Sequence, residues 1–171
     1  MITLAKCKEL LEQQEGITDV EVCKDQYLRS HFANRVNPNE PHDLIIHPIS
    51  EKLLVRVLVP GITKIRSGKS DLFRILQDVN YNLLIGKVGT DAHDGEVMFE
   101  INHPCQDGET ADPSPDVFAR LVEMAMETTW DVHLTATHVG MVEAGVPSDM
   151  AARFVDQFRQ QKSEGNGEDT L

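Results

Sequence analysis

Two periods of hydrophobic and polar positions alternate along the chain. Over residues 3–14, Leu4, Cys7 and Leu11 share one helical face, with Leu10 beside them and charge opposite. Spacing of three and four is that of an amphipathic helix, and Gly16 is a natural stop. TDVEVC (18–23) alternates and predicts a strand. Within 24–42, QYLRSHF fits a strand or a turn, whereas NRVNPNEP is a loop by its three Asn and two Pro. DLIIHPI (43–49) and KLLVRVLV (52–59) predict two more strands. Only Ser50-Glu51 separates them, so they are expected to form a hairpin.

Leu72, Ile75, Leu76 and Val79 then fall at i, i+3, i+4 and i+7, a helical stripe with Ser70 as N-cap and Asp71 in the first turn. LLIGKVG (83–89) predicts a short strand. GEVMFEINH (95–103) alternates Val97, Phe99 and Ile101 against Met98, Glu100 and Asn102, after an Asp94-Gly95 turn pair. Residues 105–113 are a polar loop. Ser114-Pro115-Asp116 combines an N-cap, a first-turn proline and an acid, and so predicts a helix start. Its apolar face is Phe118, Leu121, Val122 and Ala125, and it ends either in the early 130s or near His138, before Gly140. A last helix opens at Pro147 or Ser148, with Met150, Phe154 and Phe158 four apart.

The predicted order is α-β-β-β-α-β-β-α-α. Short gaps between strands favour antiparallel pairing. The expected fold class is therefore α+β, a twisted antiparallel sheet of about five strands with helices packed on one side. One domain is expected over 1–162, followed by a disordered acidic tail over 163–171, where apolar residues run out.

Charge adds an asymmetry. The net charge is −12, with +1 over residues 1–90 and −13 over 91–171. An acidic half repels nucleic-acid backbone and anionic lipid, so neither is an expected partner. Against this stands a basic island: Lys52, Arg56, Lys64, Arg66, Lys69 and Arg74 face Asp71 alone between residues 52 and 74. It suits an acidic partner segment, the acidic half of a second copy, or the chain's own acidic neighbours. Leu54 and Leu58 beside Arg56, and Met98 beside Glu100 and Asn102, make the second sheet face too apolar to be simply solvated. Trp130, the sole tryptophan, is either core or an interface anchor. The expected partner contacts are thus Arg56, Lys64, Arg66, Lys69, Leu54, Leu58 and Trp130, with a homodimer or another protein as partner.

Specific chemistry is thin. The stretch VPGITKIRSGKSDLF (59–73) ends like a phosphate-binding loop, but Gly61 and Gly68 are separated by six residues where four are required. Thr63 stands where the first glycine belongs. Asp91, His93, Asp94, Glu96 and His103 crowd one hairpin, without the order of a calcium loop or the spacing of a helical zinc pair. His133 and His138 differ by five and point apart on a helix, so each is expected to be a lone surface or boundary histidine. Cys7, Cys23 and Cys105 are odd in number, widely spaced and without CxxC, as reduced thiols are. No nucleophile elbow, HExxH or paired-carboxylate motif occurs. Glu9 and Glu12 stand where a signal peptide carries its apolar core, so a cytoplasmic location is expected. The expectation is a non-enzyme with no cofactor and no metal. The alternative is a small-ligand or metal-binding regulator that uses the 91–103 hairpin or the 64–69 loop.

The segments LFRILQDVN (72–80), LIGKV (84–88), Asp91 with DGEVMF (94–99), and the helix reaching Glu127-Thr-Thr form a pattern that resembles the YbjN-like bacterial family, over roughly residues 50–135. The fold of that family is similar to type III secretion chaperones. The resemblance implies a twisted antiparallel sheet with helices on one side. It also implies a bacterial, cytoplasmic, dimeric protein of chaperone-like or regulatory role. It supplies no catalytic residue.

Overall fold

The computed structural model describes residues 3–65, 70–91, 93–105 and 113–165, and the side chains at 70, 71 and 161–165 fall outside that description. The expected tail therefore lies beyond the described residues from 166 onward. So do Arg66 and Lys69, and the cap expected of the Ser70 side chain.

The elements are α1 (Leu4–Glu12), β1 (Ile17–Cys23), β2 (Tyr27–Phe32), β3 (His42–Ile49), β4 (Leu54–Lys64), α2 (Ser70–Asn82), β5 (Lys87–Thr90), β6 (Glu96–Pro104), α3 (Pro115–Glu143) and α4 (Ser148–Gly165). The strands form one sheet in the order β1-β2-β3-β4-β6-β5, and every pairing is antiparallel. The sheet has six strands rather than about five. The added strand is β2, which pairs with β1 and β3. The β1–β2 turn is made by Lys24 and Asp25, both at positive φ (52° and 54°), a conformation usually supplied by Asn-Gly.

Alternation assigns each strand two faces. Leu28, Phe32, Leu44, Ile46, Val55, Val57, Val59, Val97, Phe99 and Ile101 point one way and are buried. Cys7, Leu10 and Leu11 of α1, Leu72 and Leu76 of α2, and Phe118, Leu121, Val122 and Ala125 of α3 join them in one core. Each of the Val, Leu, Ile and Phe side chains contributes about 1.5–3 kcal/mol by leaving water. α1 lies over β1–β3, α3 over β4 and β6, and α2 over β5 and α3. α4 packs on α3 through Ala151 and Val155. Among the described residues, the helices cover only this face.

β4 runs on through Pro60 and Gly61 to Lys64, and its pairing with β6 shifts register between Val59 and Thr63. A bulge tolerates a proline, which cannot donate to the ladder, and it returns Ile62 to the buried face. The β3–β4 link is a 3-10 turn, Ser50–Lys52, closed by Leu53 at φ 47°. α3 has 29 residues and passes straight through Gly140. Its Ser114 hydroxyl accepts from the Val117 N–H at 3.3 Å, as the N-cap pattern predicts.

Candidate functional site

The face of the sheet away from the helices carries three of the expected contact residues. Leu54, Arg56 and Leu58 stand in a row along β4 and are half-buried. Opposite them on β3 are Ile49, His47 and Ile45, and on β6 Pro104, Asn102 and Glu100. Ile45 and Leu58 therefore form a central apolar strip, and Ile49 and Leu54 extend it toward one end.

Charges border this strip, and they are matched within the chain. Arg56 Nε lies 3.0 Å from Glu100 Oε1 and donates to Asn102 Oδ1 at 3.2 Å, while Lys87 Nζ approaches Glu100 Oε2 at 3.2 Å. Partial burial raises the Glu100 carboxyl's pKa, but hydrogen bonds from Asn102 and Lys87 and the Arg56 charge outweigh it and leave the group below its ordinary value. On the other side, Arg29 holds both oxygens of Asp43, and this hydrogen bond raises the guanidinium's pKa. His31 Nε2 lies 3.0 Å from the same carboxylate. Lys64 bonds Asp94, which raises the pKa of the lysine and lowers that of the aspartate. Part of the basic island is thus compensated by acids 30 and 44 positions away in sequence, Asp94 for Lys64 and Glu100 for Arg56.

A second apolar surface lies at the corner where α2 meets the edge strand β5. Phe73 is 50%, Tyr81 90%, Leu84 99% and Ile85 48% exposed. The predicted strand 83–89 is shortened here to Lys87–Thr90. Asn80 explains the change. Its side chain donates to the Val88 carbonyl at 2.7 Å and accepts from the Val88 N–H at 2.6 Å. The end of α2 is thereby pinned to β5, and Leu84 and Ile85 are held in a projecting turn. Scattered exposed apolar residues are ordinary, but here four fall within one segment, 73–85, beside the edge strand β5.

Trp130 sits elsewhere, on α3 on the helical side. Its indole N–H donates to the Ala33 carbonyl at 2.8 Å, its ring meets Phe32 edge-on, and the Arg35 guanidinium lies 3.6 Å from the ring centroid. It cannot share one patch with Leu54 and Leu58.

The 91–103 hairpin uses its acids for its own turn. Asp91 accepts from the His93 N–H and Asp94 from the Glu96 N–H. Among the described residues no three His, Cys, Asp or Glu side chains are placed to hold a metal ion. A cleft of about 440 Å³ opens by Arg29, His31, Glu40, Asp43, Gly61 and Glu96, with both signs of charge in its lining. Cys7 is buried, and desolvation first, then the neighbouring Cys105, pushes its thiol up to about 12, which makes it a poor nucleophile. Thr63 is paired to Val97 within β4, so the phosphate-loop position it occupies is a strand.

The histidines hold what sequence missed. His133 is not alone: its ring meets that of His42 at 5.2 Å. The two are 91 positions apart, and no local pattern could have joined them. Burial, together with the neighbouring His133, lowers the pKa of His42 to about 4, while Asp43 opposes the shift. Burial likewise lowers that of His133, against Glu40.

No protein-family model matches the chain. No curated protein matches it either. Among solved structures it is similar to YbjN from E. coli, described as a candidate transcription regulator, with a TM-score of 0.56 and 19% sequence identity over 79% of this chain and 91% of that one. Among the described residues no helix is long and apolar enough to cross a membrane. The likeness is one of fold, and the chain has a YbjN-like α+β architecture.

Proposed function

We propose that the chain is a non-catalytic bacterial protein-binding module, chaperone-like or regulatory, that works in the cytoplasm and docks a second copy of itself. The observation that carries this is the uncovered corner of Phe73, Tyr81, Leu84 and Ile85 beside the edge of β5. From Lys87 of that edge the surface continues onto the open sheet face with Leu58, Arg56 and Leu54. Protein contacts form where such apolar side chains can leave water together. The likeness to YbjN, itself described as a candidate regulator, is compatible with a binding role.

A ligand- or metal-binding role at the 91–103 hairpin is less well supported, because Asp91 and Asp94 are engaged in their own turn and with Lys64. Light scattering over a concentration series tests the reading. The expected mass is twice 19.1 kDa, falling toward 19.1 kDa in Leu84→Asp. A mass of 19.1 kDa at every concentration up to about 100 μM would remove the second copy as the occupant. Thermal shift against divalent metals addresses the other role, since a ligand of the native state alone raises the melting temperature.

A further inference from the structure

The segment between β2 and β3, together with His42 at the start of β3, is fastened to α3 at two points. At one, Ala33 and Arg35 close over Trp130 through the 2.8 Å hydrogen bond and the stacked guanidinium. At the other, His42, 5% exposed, meets the ring of His133. Asn34, 4% exposed, folds the segment between them by accepting from the N–H groups of Val36 and Asn37. The second fastening contains three buried polar atoms without a hydrogen-bond partner among the described residues: His42 Nε2, His133 Nδ1 and Thr129 Oγ1, the last one turn before His133.

We propose that residues 33–42 form an acid-released latch, held on α3 while His42 and His133 are neutral and let go when they are protonated. A neutral imidazole tolerates one ring nitrogen without a donor. A cationic one has an N–H on both nitrogens and needs an acceptor for each. Here protonation would add an N–H at a buried nitrogen that has no hydrogen-bond partner among the described residues, and would set two positive rings 5.2 Å apart in the interior. The charged groups that face the pair are Asp43, beside His42, and Glu40, toward His133, both of which favour the cation. Arg35, with Glu127 and Asp131 acting on it, lies at the Trp130 fastening. Burial outweighs the acids at both rings.

The sign follows from the lowered pKa. Docking is fully favoured above the ordinary histidine value of 6.5 and weakens as pH falls toward about 4. For His42 alone, the ratio of released to docked segment rises by up to about 30-fold between pH 8 and pH 5.

Trp130 is the only tryptophan and lies under the latch, so its fluorescence reports release. In the full chain, acrylamide quenching of Trp130 is expected to rise between pH 6.5 and pH 4 while far-UV circular dichroism is unchanged. In the double variant His42→Phe, His133→Leu, the rise is absent. Quenching that stays flat until the dichroism collapses, or an unchanged transition in the variant, overturns the latch. Should the variant not fold, NMR titration of the wild-type rings decides. His42 and His133 are expected to titrate below the ordinary histidine value of 6.5. Ordinary titration of both near 6.5 refutes the proposal.

Discussion

Gly86 gives a stability prediction that isolates packing from backbone strain. It stands just before β5 at φ 86°, and a Cβ there would meet Phe99 Cζ at 2.8 Å and Ile101 Cγ1 at 3.0 Å. Both neighbours are fully buried, so neither can swing away. Gly145, between α3 and α4, has nearly the same φ, 91°, with nothing within 4 Å of a Cβ. Gly→Ala at either site carries the left-handed cost of about 1–2 kcal/mol, partly offset by about 0.4–1 kcal/mol from a stiffer unfolded chain. Only Gly86 adds the overpacking of a closed core, about 1–3 kcal/mol. The expected losses are therefore about 1 kcal/mol for Gly145→Ala and about 2–4 kcal/mol for Gly86→Ala, with Gly86→Val worse because of its branched Cβ. Urea unfolding at 25 °C reads this directly. With a slope of about 2 kcal/mol/M, the Gly86→Ala midpoint falls about 0.5–1.5 M below that of Gly145→Ala. Coincident midpoints would refute the close approach of Gly86 to Phe99.

Three further outcomes are expected. Ser114→Ala removes the cap of α3 and lowers unfolding free energy by about 1 kcal/mol, measured by the same urea titration; no change would mean that the 3.3 Å bond carries no weight. Glu100→Gln leaves Arg56 and Lys87 without their shared anion and destabilises by about 1 kcal/mol at pH 7. Because the Glu100 carboxyl is held below its ordinary pKa, that difference shrinks as pH falls through the folded pKa; a pH-independent difference contradicts the pairing. Calorimetry with magnesium and ATP should show no micromolar binding, since Thr63 is committed to β4, and binding lost in Lys69→Ala would reverse the reading of that stretch.

What was legible in the sequence is what local periodicity can carry. The alternation of Val97, Phe99 and Ile101, the stripe of Leu72, Leu76 and Val79, and the Ser-Pro-Asp start of α3 each specify an element from neighbours a few positions apart. β2 was ambiguous because its turn is Lys24-Asp25 rather than a glycine pair. The strand predicted over 83–89 is longer than β5 because Leu84 and Ile85 have the sequence pattern of strand core. They are exposed only because Asn80 ties α2 to Val88. The open-face row of Leu54, Arg56 and Leu58 follows from β4's alternation, but the acids that neutralise Arg56 and Lys64, Glu100 and Asp94, lie 44 and 30 positions away. The His42–His133 contact and the clasp of Arg35 on Trp130 depend on tertiary placement alone.

The surface assignment is tested most directly by amide hydrogen exchange of the full chain at two concentrations, one below and one above the onset of self-association. Slower exchange at the higher concentration is expected in peptides spanning Tyr81 to Thr90, the projecting turn and edge strand β5, with little change along α4. Protection confined to α4, or exchange at Tyr81–Thr90 that ignores concentration while the mass doubles, would contradict the α2–β5 corner as the contact surface.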